Sequence, residues 1–461
     1  MQILLRGAEV DGATVDVTIR HGRIVARPSA APDEVIDAGG GALIGGLHDH
    51  HLHLLAMAAA DHSLDLATAT DPASFDEALA IRPGTLAGGG WLRAVGYDDQ
   101  VHGPLDRRRL DHLAPDRPVR VQHRSGALWV LNSRALTELG VDADRPGHPG
   151  FPGRPDRPGP PGLPHPEADD LADGRLFRSD EWLRDRLPPP PPPDLAAVGR
   201  RLASYGITGV TDATPTADPA HHRLLADAVR SGALPQQVIV MGGPPLAEAD
   251  PPPPLTKGPV KVVIADHALP PLADLEQWFR RAHRAGRPVA VHCVTRVALA
   301  LAVAAWDEVG SLPGDRVEHA SVTSPDLAIR LHEHGLTVAT QPAFVAARGD
   351  RYLATVDPVD RPDLYRCATL LAAGAPVLGS SDAPYGPEDP WIAIRAAVER
   401  RTGSGVPIGP GEALRPDQAL ALYAPPPAAP AGLVLLDAPL AEVLADPRKE
   451  RVVRTFCAPP T

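Results

Sequence analysis

Hydrophobic and polar positions alternate in short runs at the start of the chain. Gln2–Leu5, Val15–Ile19 and Ile24–Ala26 are such runs, split by Asp11-Gly12 and His21-Gly22. A period of two with turn dipeptides between predicts a small antiparallel sheet. Similar segments recur at Leu433–Leu436 and Val452–Phe456. The two ends are expected to pair into one β-sandwich module over 1–42 and 408–461.

The middle has a different pattern. Short Val/Ile/Ala-rich runs occur at Ala42–His48, Gly209–Ala213, Gln237–Met241, Val260–Ala265, Pro288–His292, Arg316–Glu318, Thr337–Thr340 and Pro376–Gly379. Amphipathic stretches such as Leu272–Ala285, Thr295–Val309 and Pro325–His334 lie between them. This is the βαβ pattern of a buried parallel sheet, and eight repeats predict an α/β fold, a (β/α)8 TIM-like barrel over 43–407. The gap after the first strand is too long for one crossover. An insertion at about 55–200 is expected, with Val119–Gln122 and Gly126–Val130 as extra strands.

Composition refines this picture. Proline reaches 55 of 461 residues and is concentrated at Pro188–Pro193, Pro251–Pro254 and the Pro/Gly/Asp-rich stretch 144–168. The first two predict polyproline II spacers and the third a surface loop. A net charge of −12 argues against nucleic acid as a partner. Three dispersed cysteines suggest neither a disulfide framework nor a thiolate metal site. The opening residues are too short and polar for a signal-peptide core, and no apolar run is long enough to span a bilayer. A cytoplasmic protein acting on a small molecule is expected, without a membrane partner and with a homodimer left open.

The candidate chemistry begins in Ile44–Leu54, I-G-G-L-H-D-H-H-L-H-L. His51 and His53 are two apart, so on an extended chain both imidazoles face one way. Zinc commonly takes such nitrogens, although four histidines in six residues also suit a His-rich surface loop. Three later strands end in ligand-type side chains: His292, His319 and Asp382. Strand ends of a barrel share one rim, so the five form a candidate site for one or two divalent metal ions. Lys261 opens the fourth strand, where its ammonium would be costly without a partner. Carboxylation to N6-carboxylysine would turn it into a bridging ligand; a strand-edge lysine pointing to solvent or pairing with Asp266 is the plainer alternative. Cys293, next to His292, reads as a core thiol. His62, His102, His112, His221, His222, His332 and His334 read as surface residues.

The ordered motifs G-L-H-D-x-H-x-H, V-K, V-H-C, V-E-H-A and S-S-D-A-P resemble those of the amidohydrolase superfamily of metal-dependent hydrolases. The similarity is greatest to the subgroup that includes N-substituted formamide deformylases, supported by W-L-R-A-V-G-Y-D (Trp91–Asp98), Val119–His123, L-N-S-R-A-L and G-R-L-F. The resemblance implies His51 and His53 on a more buried metal, Lys261 bridging, and His292 and His319 on a second metal. Asp382 would be both ligand and proton shuttle. The implied activity is hydrolysis of a non-peptide C–N bond (amide, N-formyl or N-acyl) by metal-activated hydroxide, with zinc as the first candidate. Asp98, His123, Arg124 and Asn132 in the insertion are weak candidates for substrate binding. Two strings depart from the pattern: Ala431–Asp437 is a shortened terminal motif, and Ala265-Asp266-His267-Ala268 lacks D-G-S.

Two other readings stay open. A mononuclear aminohydrolase of a ring substrate would usually carry a glutamate three residues after His292, where this chain has Thr295. Glu318 or Asp266 are the stand-ins considered. The other is a catalytically inactive metal-binding protein.

Overall fold

A computed structural model describes residues 1–26, 31–80, 90–141, 168–187, 193–266, 268–426 and 432–459. Residues 144–167 of the loop expected at 144–168, most of Pro188–Pro193 and His267 lie outside the described residues, and Ala168 opens helix Ala168–Asp173. The chain divides into two compact units, Met1–Leu54 with Leu195–Thr461, and Leu55–Asp194.

Within the first unit, the N-terminal strands form a four-stranded sheet. Gln2–Val10 pairs antiparallel with Ala13–Arg20 and parallel with Glu34–Asp37. A three-stranded sheet joins Leu43–Gly45, Leu433–Leu436 and Val452–Phe456. Alternation gives each sheet one apolar face. These faces share a cluster of Ile3, Leu5, Ala8, Val17, Ile19, Leu43, Leu435 and Phe456.

The run Ala42–His48 is therefore not one strand. Leu43–Gly45 belongs to the terminal sheet, and the first parallel strand is Leu47–Leu52. Paired glycines at 45 and 46 separate the two. Helix Pro416–Ala421 packs on helix Pro390–Glu399, and the Leu414 N–H donates to Ala397 O at 3.0 Å. Just after helix Pro416–Ala421, Leu422 O accepts from Gly379 N at 2.7 Å and Tyr423 O from His48 N at 2.8 Å, which ties the segment to the parallel strands.

All pairings among the central strands are parallel. Leu47–Leu52, Ile207–Asp212 and Gln237–Val240 lie side by side, with the short Thr256–Lys257 beyond them. A second sheet runs Val260–Val263, Val289–Cys293, Arg316–His319, Thr337–Thr340, Val377–Gly379. Backbone bonds bridge both seams. Lys261 N donates to Gly242 O at 2.8 Å, while Asp382 N reaches His51 O at 2.8 Å and His53 N reaches Ala383 O at 2.9 Å.

Side-chain caps start the intervening helices. Asp218, Thr295, Ser324 and Asp389 each accept a hydrogen bond from an N–H in the first turn. Among the described residues, no helix is long and apolar enough to cross a membrane.

The second unit holds a five-stranded sheet containing Leu92–Tyr97, Val119–His123 and Leu128–Leu131. Two histidines expected at the surface are buried. His102 bonds Asp98 N and Ala69 O in this unit, and His222 of the first unit bonds Met241 O.

Asp315 is fully buried ahead of the sixth parallel strand. It accepts from Val289 N at 2.7 Å, Leu312 N at 2.9 Å, Trp306 Nε1 at 2.9 Å and His283 Nε2 at 3.1 Å. Truncation leaves buried donors unpaired, so Asp315→Ala should lower unfolding free energy by about 2–4 kcal/mol. Urea denaturation checks this; an unchanged midpoint would contradict it.

Candidate metal centre

The first parallel strand carries alternating functions. Asp49, His51 and then His53, just past its end, share one parity; His48 and His50 take the other. His48 bonds Thr211 Oγ1 at 2.9 Å and packs on Gly209, where a Cβ would come within 2.4 Å of its Nδ1. His50 bonds Ala424 O at 3.0 Å. The histidine cluster is thus a buried strand with two differently engaged faces, not an exposed loop.

His51, His53 and Asp382 each present a ligand atom, all within 4.8 Å of one another. Asp382 Oδ1 is 3.3 Å from His53 Nε2 and 3.5 Å from His51 Nε2. Lys261 Nζ is 3.4 Å from His51 Nε2. The His319 ring lies 4.9 Å from that of His51, and His292 lies 4.5 Å from His319, centroid to centroid. The structure therefore gathers His51, His53, Lys261, His292, His319 and Asp382 in one region of the first unit.

Two consecutive residues, Glu318 and His319, both meet His51, although an extended strand would turn them to opposite faces. The backbone resolves this. His319 has φ 69° and Ala320 φ 45°, left-handed values that end the strand in a turn. Asp382 also has a left-handed φ of 56°, held by its N–H on His51 O. Such conformations in bulky residues persist only where neighbours enforce them, and functional sites collect them.

Each of three histidines has a partner on Nδ1. His51 bonds Glu318 Oε2, His53 bonds Thr214 Oγ1 at 3.3 Å, and His319 bonds Gln341 Oε1 at 2.9 Å. A carboxylate or amide oxygen can only accept, so His51 and His319 carry their proton on Nδ1 and leave Nε2 as the donor for a cation. Two such nitrogens, with His53 Nε2 and the Asp382 carboxylate beside them, fit a divalent metal such as zinc.

The charge states agree with that role. Burial lowers His51 to about 4 and His319 to about 3, so both rings are neutral at pH 7. Burial brings Lys261 down to about 8. Burial alone would raise Asp382, but His53, His319 and His51 hold it well below the usual carboxylate range. Glu318 behaves likewise: Arg316, Lys261 and His51 outweigh its burial.

Several partners here were not anticipated from the sequence. Glu318 is the buried carboxylate behind His51, and Arg316 binds its other oxygen and His50 O. Their spacing of two in R-V-E-H was the available signal. Asp49 accepts from His51 N and Ser381 N, both at 3.1 Å, and burial pushes its carboxyl up to about 7. It shares parity with His51 and His53, which was likewise legible. Gln341 and Thr214 follow strand ends with no motif to mark them. Tyr385 sets its ring 5.6 Å from His53, edge to face.

The insertion candidates all lie in the other unit. Asn132 is fully buried; its Oδ1 accepts from Ala135 N and Val119 N, and its Nδ2 donates to Ala114 O and Arg117 O. That set fills its hydrogen-bonding capacity as a helix cap. Asp98 pairs with Arg124 at 3.0 Å and His123 with Asp99 at 3.3 Å. Asp98, Asp99 and His123 form a second close group, within that unit. Cys293 is buried, which raises its thiol far above the ordinary range and makes it a core residue.

Comparison with known proteins gives concordant results. A model of the amidohydrolase family matches residues 34–433. The N-substituted formamide deformylase of Arthrobacter pascens is 26% identical over 456 residues, covering 88% of this chain and 82% of that one. An uncharacterized metal-dependent hydrolase from Pyrococcus horikoshii OT3 shares the fold with TM-score 0.68 at 19% identity, over 92% of each chain. Another from Pyrococcus furiosus gives 0.65 at 20% identity, over 92% of this chain and 93% of that one.

The Asp49 clamp can be tested alone. Asp49→Ala leaves the N–H groups of His51 and Ser381 buried without an acceptor and should cost about 2–4 kcal/mol of stability. Asp49→Asn keeps one acceptor oxygen and should cost less than half as much. Equal losses by thermal unfolding would contradict the clamp.

Proposed function

The chain belongs to the amidohydrolase family, and from that premise we propose that it hydrolyses a non-peptide C–N bond, of amide, N-formyl or N-acyl type, in a small molecule. The observation that carries this reading is the convergence of His51, His53 and Asp382 within 4.8 Å, backed by a neutral His51 ring poised to donate through Nε2. The two bridged seams support a closed (β/α)8 barrel with this group at the C-terminal ends of its strands. The shared apolar cluster supports a terminal β-sandwich.

One or two divalent ions, zinc first among candidates, would be held by His51, His53, His292, His319 and Asp382. A cation so held supplies an acidified water at neutral pH and draws electron density from a carbonyl. Lys261, buried 3.4 Å from His51 Nε2, would repel a cation as an ammonium. Reaction of its neutral amine with carbon dioxide, with loss of a proton, would replace that charge with an anionic carbamate able to serve as a metal ligand.

The residues of this chain divide the remaining work. Asp382 is ionised, so it accepts the proton of the attacking water at a carboxylate oxygen and passes it to the departing nitrogen. Glu318, Thr214 and Gln341 fix the rings. Tyr385 forms one wall beside His53.

The aminohydrolase reading has less support. Thr295 caps helix Arg296–Val309 and donates to Asp266 Oδ1 at 2.6 Å. Glu318 is fully buried between His51 and Arg316, where no ring nitrogen of a substrate can reach it.

Chelation should abolish turnover of N-formyl and N-acyl amines, and added divalent metal should restore it. Asp382→Asn should retain most bound metal and lose about 10²–10⁴-fold in kcat. Unchanged kcat would refute the proton-transfer role. Intact protein kept in bicarbonate should show the mass of one carbon dioxide, lost in Lys261→Met; its absence from native spectra would contradict the bridge.

A further inference from the structure

Phe344 and Arg348 stand one turn apart on helix Ala343–Thr355, so both project from one face. Phe344 is buried, and the half-buried Arg348 lays its guanidinium over that ring, 3.8 Å from the centroid. Gly386 permits this arrangement, since a Cβ there would collide with the Phe344 ring and Ser381 O. Arg348 Nη2 donates to Tyr385 O. Tyr385 in turn sets its ring against His53 and donates its N–H to Asp382 O at 2.8 Å. A cation is therefore held beside one wall of the metal centre, on the loop that also carries Asp382.

Its charge is not consumed there. Arg296 is paired with Asp360 and Asp363, and Arg316 with Glu318. Among the described residues no carboxylate pairs with Arg348, and the Tyr385 carbonyl takes one of its five N–H donors. A planar guanidinium with spare donors matches a carboxylate, and one positive charge matches a monoanion. We propose that the substrate carries a carboxylate, which Arg348 binds while the scissile amide lies beside His53 and Asp382. This rests on the hydrolase reading above and adds the class of substrate. The competing role for Arg348 is a tie between the helix and the loop after Asp382, which would hold the fold without discriminating between substrates.

Paired probes separate the two roles. ω-Formamido- and ω-acetamidoalkanoates of increasing chain length are compared with the corresponding primary amides, using metal-loaded wild type, Arg348→Gln and Arg348→Glu. The readout is the ratio of kcat/KM for acid over amide within each protein, so a general loss of activity cancels. Wild type should favour the acid about 10–100-fold at the best length. Arg348→Gln should bring the ratio to about one. Arg348→Glu should push it below one, an inversion that damage to the fold does not produce; either variant suffices if the other fails to fold. A wild-type ratio near one at every length, or the wild-type ratio retained in either variant, would overturn this proposal alone. Wild type that turns over neither acid nor amide would overturn the hydrolase reading, and this inference with it.

Discussion

The site depends on one piece of backbone pairing: the seam where the segment after the eighth parallel strand returns to the first. Asp382 N donates to His51 O, His53 N donates to Ala383 O, and Asp49 accepts from both His51 N and Ser381 N. These bonds bring residues 330 positions apart in the chain to fixed relative positions. Asp382 lies beside the two imidazoles with a left-handed φ of 56°, and the seam supplies a bond from its N–H to His51 O. Without this pairing Asp382 and the two histidines would belong to separate segments of the chain.

Behind the ligands lies a second layer of polar groups with no water-facing purpose. Glu318 and Arg316 form a buried ion pair, and removing one partner of such a pair is far more damaging than the pair is stabilising. Its retention beneath His51 makes sense as orientation and electrostatic tuning. Gln341 and Thr214 do the same for His319 and His53 by weaker means. The pattern matches a general property of metal sites, in which the groups bonded to the ligands set tautomer and basicity.

Much of this was visible in the residues. The parallel strands and the candidate ligands at their ends, histidines and a terminal aspartate, followed from Val/Ile-rich runs closed by His or Asp, a pattern set by burial on both faces. The extent of the first strand differs from the expectation, because the apolar residues of Ala42–His48 read as one run although Gly45-Gly46 breaks it into Leu43–Gly45 and Leu47–Leu52. The pairing Gly45–Leu433 decides it, a contact between distant parts of the chain. His102 and His222 were placed outside because histidine on an amphipathic helix looks exposed; each is buried against a carbonyl. The left-handed turn at His319 has no sequence signal, since non-glycine residues rarely adopt it. Glu318 was therefore not seen as the partner of His51.

The central claim is that His51, His53 and Asp382 converge on a cation. Anomalous X-ray diffraction from crystals of the protein grown with zinc tests it most directly. The account predicts a peak about 2.0–2.2 Å from His51 Nε2, His53 Nε2 and an Asp382 carboxylate oxygen. Full zinc occupancy elsewhere, with these three side chains bonded only to one another or to water, would contradict it.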